Sequence, residues 1–422
     1  MRKKYKVSCI LSMLFAACVL SGCKEKDEVK NPQIIVDYDN VNFTQEVRET
    51  IPEEIYETEY LPGYGWNLLD CIEVRKDYSV ELNTGNMVER EGYAAAWMLA
   101  VDSSSVFLVH TPVDEITISC YDSSLQFIDS MSLWAPDGDF FNLPANCNYI
   151  SVSQSLEGMK QSLLVQENMN GYNIFFAAQT EEVKQSVVAA VNSIEDKGVI
   201  IVLPGTYKGS VGAWGKDVTI YGVDRERCIL ENNSGKYHSP PLEISCGEIV
   251  NVTVRTMGTP DTTTPGAYAV HVEDHALADN RLYFENCTIY SDYNSGVGIG
   301  LRGGCDVKFV NCSLTGKDDG LFCHDSAYKQ YTGVQNISFI DCEITGLTGN
   351  NALHFDSQGV EGATVNVLFL NNVLSNTKNP TSNKLLYTRN NGGKGNDTNW
   401  MGLKNYYIDP QSTGNNVESL NY

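Results

Sequence analysis

The chain has 422 residues, 42% of them hydrophobic and 20% charged, a composition that can bury large cores and leaves room for two or three domains of ~100–200 residues each. Its formal charge is −23 and its pI about 4.6. A surface of that sign repels phosphate backbones and anionic membranes, so nucleic acid is not expected as a partner. An acidic polymer could be held only against a local patch of Arg or Lys.

Arg2, Lys3, Lys4 and Lys6 precede an apolar run from Val7 to Leu20. That run is too short for a stable membrane span, which takes ~20 residues, so residues 1–22 read as a secretory leader. It ends in Leu20-Ser21-Gly22-Cys23, which resembles a bacterial lipobox. The resemblance implies cleavage before Cys23, lipid on that cysteine and an outer-membrane lipoprotein exposed at the cell surface. Lys24-Glu25-Lys26-Asp27-Glu28 is similar to the surface-export tag of Bacteroidota lipoproteins. Residues 23–50 are polar and acidic and read as a tether.

From 51 to 165 short alternating runs recur, such as Ile116-Thr117-Ile118-Ser119-Cys120-Tyr121 and Tyr149-Ile150-Ser151-Val152-Ser153, parted by turn clusters such as Pro136-Asp137-Gly138. This spacing predicts an antiparallel β-sandwich. The stretches Tyr121–Ile128 and Phe141–Ile150 resemble jelly-roll, carbohydrate-binding-like modules. Trp97 and Trp134 read as sandwich core, with sugar stacking as the alternative.

Residues 179–195 carry Val183, Val187, Val188 and Val191 at helical spacing. Then Val199-Ile200-Ile201-Val202-Leu203-Pro204-Gly205-Thr206-Tyr207 leads to Val218-Thr219-Ile220-Tyr221-Gly222. A helix followed by strand, turn and strand suits the covered first coil of a solenoid made of strands. The order resembles the opening of pectin methylesterases and other pectin-lyase-like proteins. It implies that residues 172–422 form a right-handed parallel β-helix behind a capping helix.

The repeat supports the same architecture. Asn251-Val252, Asn286-Cys287, Asn311-Cys312, Asp341-Cys342 and Asn371-Asn372 follow one another at steps of 35, 25, 30 and 30 residues, and Phe284, Phe309, Phe339 and Phe369 precede the last four. Periods in this range mark stacked supersecondary units. Stacking should turn the Asn/Asp column into a side-chain ladder at a corner, and Cys287, Cys312 and Cys342 into an internal column. Of thirteen cysteines, three fall at or before position 23, leaving ten. The repeat cysteines read as small buried hydrophobes rather than disulfides or metal ligands.

Each unit carries another strand: Val270–Glu273, Ile299–Arg302, Phe322–Asp325, Leu353–Asp356 and Leu386–Arg389. Aligned end to end, they place Glu273, Arg302, Asp325, Asp356 and Arg389 on one outer face, His271, Cys323, His354 and Tyr387 two residues earlier, and His324 inward. Neighbouring carboxylates split their pKa values, so Asp325 and Asp356, with His354 beside them, are the candidate catalytic set. Arg302 and Arg389 could hold a uronate carboxylate, with Glu273, His271 and Tyr387 completing a binding face. Lys317-Asp318-Asp319-Gly320-Leu321 resembles a catalytic stretch of pectin methylesterases, which implies a catalytic role for Asp319. The other motifs of that family are not completed here. No cofactor is expected; Asp318-Asp319 reads as a turn, with calcium as the alternative. The expected function is a surface lipoprotein that binds an acidic or esterified polysaccharide, with its processing left open between esterase, hydrolase and lyase chemistry, the alternative being a non-catalytic adhesin-like or structural protein.

Overall fold

The computed structural model describes residues 66–71, 74–167, 173–178, 186–194, 197–234, 239–258, 268–272, 281–301, 306–325, 333–348, 352–357, 363–376, 386–390, 403–408 and 413–414. The leader, Cys23 and the tether lie outside the described residues. No helix among those described is long and apolar enough to cross a membrane. The chain divides into two compact units that meet in sequence at Asn173–Ile174.

The N-terminal unit is built on two antiparallel sheets. Five strands lie in the order Arg75–Val80, Met87–Ala100, Tyr149–Ser155, Ile116–Tyr121, Phe127–Leu133, and three in the order Asp139–Phe141, Phe107–His110, Leu163–Gln166. Ile116, Ile118, Cys120, Ile150 and Val152 are fully buried in the first sheet, and Phe107, Leu108, Val109, Leu164 and Val165 in the second. Trp134 departs from the core reading. It follows the last residue of the Phe127–Leu133 strand and is 66% exposed. Trp97 is half-buried, its ring 5.8 Å from Tyr121.

The C-terminal unit is a right-handed parallel β-helix. One rung runs through Val297–Leu301, Asp306–Val310 and Ser313–Gly316, and the next begins at Leu321–Asp325. Every strand pair in this unit is parallel, rung upon rung. Three walls result, which we call A, B and C in chain order within a rung. The strand Leu242–Val250 serves two walls, pairing with Val270–Val272 through its first half and with Arg281–Glu285 through its second. Gly247 makes the bend at φ +117°, and a Cβ there would lie 2.0 Å from the Val218 carbonyl oxygen, so no other residue fits.

The corner between walls B and C explains the repeat. Asn251, Asn286, Asn311, Asp341 and Asn371 all adopt φ between +50° and +58°, the left-handed region that Asn and Asp tolerate better than branched residues. Their side chains then form the expected ladder. Asn286 Nδ2 donates to Asn251 Oδ1 at 2.6 Å, Asn311 Nδ2 to Asn286 Oδ1 at 3.1 Å, and Asn371 Nδ2 to Asp341 Oδ1 at 2.6 Å. The conformation and the hydrogen bonds can be separated by mutation. Asn311→Gly should lose the ladder bond to Asn286 alone, costing about 1 kcal/mol. Asn311→Val should cost at least twice that, because a β-branched residue also resists positive φ. Urea denaturation midpoints of the two variants check the order.

Inside the helix, Phe284, Phe309, Phe339 and Phe369 stack at centroid spacings of 4.7, 5.2 and 5.1 Å with ring planes within 11°. Cys287, Cys312 and Cys342 form the neighbouring column, each buried, each thiol 3.2 Å from the carbonyl two residues back. The column ends on the buried Asn372, whose Oδ1 accepts from the Cys342 N–H at 2.8 Å and whose Nδ2 donates to the Phe339 carbonyl at 3.0 Å.

The first coil is covered by the helix Val187–Ser193, capped by the Ser186 hydroxyl, which accepts from the Ala189 N–H at 3.1 Å. Its buried residues Val187, Ala190 and Val191 form part of a face that packs on the strands Ile174–Ala177, Val199–Val202 and Val211–Gly222. Lys216 Nζ donates to the Val191 and Ile194 carbonyls, both at 2.8 Å, a cation placed at the negative end of the helix. Of the longer helix expected over 179–195, residues 179–185 and 195 lie outside the described residues.

Candidate functional site

Wall A carries the chemistry, and its register differs from the one the spacing suggests. Cα pairing runs Glu243–His271–Gly298–Phe322–His354–Tyr387 in one column. Two residues further on, Gly300, His324, Asp356 and Arg389 share a column. Asp325 pairs instead with Leu301. It therefore falls at the strand parity of the buried Leu321 and Cys323, one register position off the column that holds Asp356. His324 correspondingly takes the outer parity, not the inward one. The alignment slips because it treats the strands as ending together, whereas the apolar pairs Val297/Ile299, Leu321/Cys323 and Leu353/Phe355 are what stack. Arg302 and Glu273 lie outside the described residues, and Tyr387 and Arg389 are placed by strand register.

Rings line the outer face of this wall. Tyr268 lies flat over Gly298, where a Cβ would come within 2.5 Å of its Cδ2. Its ring stacks on His271 at 5.4 Å and on Phe322 at 6.2 Å, and Phe322 meets His354 edge-on at 4.8 Å. Gly298 thus leaves the place that Tyr268 fills, and the row His271, Tyr268, Phe322, His354 is continuous. Farther up the wall Trp214 sits over Gly212, the register partner of Glu243, and is 54% exposed. Strand spacing of ~4.8 Å makes the column from Gly212 to His354 about 24 Å long.

Two imidazoles in this row are each held by a carboxylate. His271 Nδ1 lies 3.2 Å from Glu243 Oε1, and His354 Nδ1 lies 3.3 Å from Asp319 Oδ2. A carboxylate only accepts, so Nδ1 of the neutral ring carries the hydrogen and Nε2 the lone pair. This is the base-and-orienter arrangement that fixes a tautomer for proton transfer. The His354 side chain is 17% exposed and the His271 side chain 8%, and Nε2 itself is buried in both rings.

Asp319 is held firmly. It sits in the turn between Ser313–Gly316 and Leu321–Asp325, 6% exposed. Its carbonyl accepts from the Gly296 N–H at 3.1 Å, Lys317 N–H donates to the Ser291 carbonyl at 2.7 Å, and Gly320 N–H to the Ala352 carbonyl at 2.9 Å. The turn reading of Asp318-Asp319 matches this geometry. Among the described residues no group of three or more His, Cys, Asp or Glu side chains converges on a point where a metal could sit. Among the described residues, the structure brings the expected site residues Asp319 and His354 into contact. Tyr268, Phe322, Trp214 and Glu243 were not expected. Apolar alternation could have marked Phe322 as outward, since it lies between the inward Leu321 and Cys323.

No protein-family profile and no curated protein matches this chain. Solved structures with a similar strand path include a pectin methylesterase in complex with a hexasaccharide, at 14% identity and TM-score 0.37, covering 58% of this chain and 80% of that one. Pectin methylesterase PemA from Erwinia chrysanthemi is similar at 15% identity and TM-score 0.35, with the same coverage. The catalytic domain of a GH87 α-1,3-glucanase in complex with tetrasaccharides gives 11% identity and TM-score 0.22, covering 67% of each chain.

Proposed function

We propose that the protein binds a polysaccharide along the outer face of wall A and processes it there, with His354 as the proton-transferring group and Asp319 as its positioning residue. The observation that carries this reading is the continuous row of rings ending at the Asp319-held imidazole of His354. Sugar rings present apolar C–H faces that pack on aromatic faces; Phe322 and His354 are the half-buried rings of the row that offer such a surface, and the buried Tyr268 and His271 support them. Proton transfer is the step shared by ester hydrolysis, glycosidic hydrolysis and β-elimination, and one oriented imidazole serves any of them. Asp356, in register with His324 and Arg389, stands two residues from His354 and is the second carboxylate of the proposal. Arg389 and Arg302 are the proposed partners of a substrate carboxylate, and Glu273, His271 and Tyr387 complete the binding face. Asp325 keeps no catalytic part in it.

The test is a glycan screen of protein produced without the leader and carrying Cys23→Ser, scoring retention and product release separately on acidic, esterified and neutral polysaccharides. The reading expects retention of one class together with release of product from it. Silence on all classes overturns it, and retention without product leaves only the adhesin-like alternative.

We further propose that Cys23 carries lipid and anchors the protein to the outer membrane with the tether at residues 23–50. Cys23→Ser is expected to abolish incorporation of a labelled fatty acid and to move the protein from the membrane to the soluble fraction. Unchanged labelling would refute the anchor.

A further inference from the structure

Wall A extends two strands beyond His271, through Glu243 to Gly212, and the indole of Trp214 stands at that end. A side chain at Gly212 would point outward. Its neighbours Val211 and Ala213 are buried, and its register partner Glu243 lies between the buried Leu242 and Ile244. A Cβ at Gly212 would meet Trp214 Cε2, Cζ2 and Cδ2 at 3.4, 3.5 and 3.7 Å. The indole therefore covers the outer face of the wall at this rung while remaining 54% exposed.

The backbone is built to hold the ring in that place. Val211–Ala213 pairs with Leu242–Ile244, and Asp217–Tyr221 pairs with Cys246–Val250, so that Trp214, Gly215 and Lys216 together oppose Ser245. Gly215 turns this bulge at φ +66°. Its exit is pinned. Lys216 Nζ donates to the Val191 and Ile194 carbonyls, both at 2.8 Å, and the Asp217 carbonyl accepts from the Lys197 N–H at 2.7 Å. A bulge re-aims a side chain, and a pinned one lowers the ordering cost of binding to it.

From this placement, and resting on the glycan-binding reading of wall A, we infer that Trp214 is a remote platform of the same site, which makes that site selective for long chains. Register carries the column from Gly212 through Glu243, His271, Gly298 and Phe322 to His354, about 24 Å at ~4.8 Å per strand. A pyranose unit with its linkage advances by about one strand spacing, so a linear oligosaccharide of about six units reaches from the indole to the His354 imidazole.

Between its two ends the face offers little ring surface, because Tyr268 and His271 are buried. The Phe322–His354 end and the Trp214 end are thus separate contacts joined by the ligand. Once one end is bound, the second contact is intramolecular, and affinity rises only for a ligand long enough to make both. Short fragments gain the Phe322–His354 end alone.

The experiment is isothermal titration of the protein used in the glycan screen with oligosaccharides of about two to about eight units, cut from the polysaccharide it retains, a range that brackets the ~24 Å span. Affinity of the unsubstituted face is expected to climb with length and level off near six units. Trp214→Ala should match it on the shortest ligands and fall behind by about fivefold or more on the longest, the worth of one aromatic stack. Trp214→Tyr, which retains a ring, should recover most of that difference. Equal affinity of Trp214→Ala at every length overturns the inference, and so does a uniform loss that includes the shortest ligands. Affinity of the unsubstituted face that levels off at two or three units overturns it without any variant. In each of these cases the glycan-binding reading stands where Phe322→Ala still weakens binding. A protein that retains no polysaccharide overturns both.

Discussion

Replacing Phe309 by alanine is expected to destabilise the β-helix by about 3–5 kcal/mol, the range for deleting a buried phenyl ring. Phe309 is fully buried and stacks on a ring above and a ring below, at 4.7 and 5.2 Å. The cavity would open at the centre of the column, where neighbouring rungs are pinned by parallel pairing to Phe284 and Phe339 and cannot collapse inward. Phe369→Ala, at the end of the four-ring column, loses one ring contact instead of two. It should cost about 1 kcal/mol less, the worth of one aromatic pair. Phe309→Leu retains most of the volume and should cost no more than about half as much as alanine. Urea denaturation followed by far-UV circular dichroism measures the three. Equal losses at Phe309 and Phe369 would contradict the stacked column.

The second large effect concerns catalysis. His354→Gln is expected to lower product release by about 10²–10⁴-fold, the usual contribution of a positioned acid–base group, with glycan retention changed less than about threefold. Asp319→Asn should remove most of the same rate, because an amide cannot take up the same charge-stabilising role and permits the other tautomer. As a positioning residue Asp319 carries a distinct signature. Asp319→Glu, which retains the acceptor, should recover part of the rate, and the loss in Asp319→Asn should fall on kcat with KM little changed. Full activity in His354→Gln would remove that residue from the chemistry.

The parts of the fold legible in the sequence are those where one residue type is forced at one place. The wall B to wall C corner needs positive φ on every rung, which restricts it to Asn and Asp, and the interior behind it admits Phe and Cys columns. That signature, Phe then Asn-Cys, therefore repeats in the chain and in space. Wall A has no such forcing residue. Its strands are three to five residues long, its outer positions hold glycine at Gly298 and Gly300, and the connections around it vary in length. An alignment by strand ends is therefore off by one at Asp325, which reverses its strand parity. Tyr268 was illegible for a different reason. It lies before its strand and fills the space over Gly298, one rung on, so only tertiary structure brings the ring into the row. Trp134 shows the limit of composition arguments, since a large aromatic in a strand-rich unit is more often core than surface.

The central claim is that the glycan lies on the ring row of wall A, and affinity for the polysaccharide retained in the screen tests it most directly. Isothermal titration would compare the wild type with Phe322→Ala and Trp134→Ala, each checked for unchanged thermal stability. The account predicts that Phe322→Ala weakens binding about tenfold or more, equivalent to ~1.4 kcal/mol, by removing the platform between Tyr268 and His354, and that Trp134→Ala leaves affinity unchanged. Loss of binding in Trp134→Ala with full affinity in Phe322→Ala would contradict it and place the glycan on the N-terminal unit.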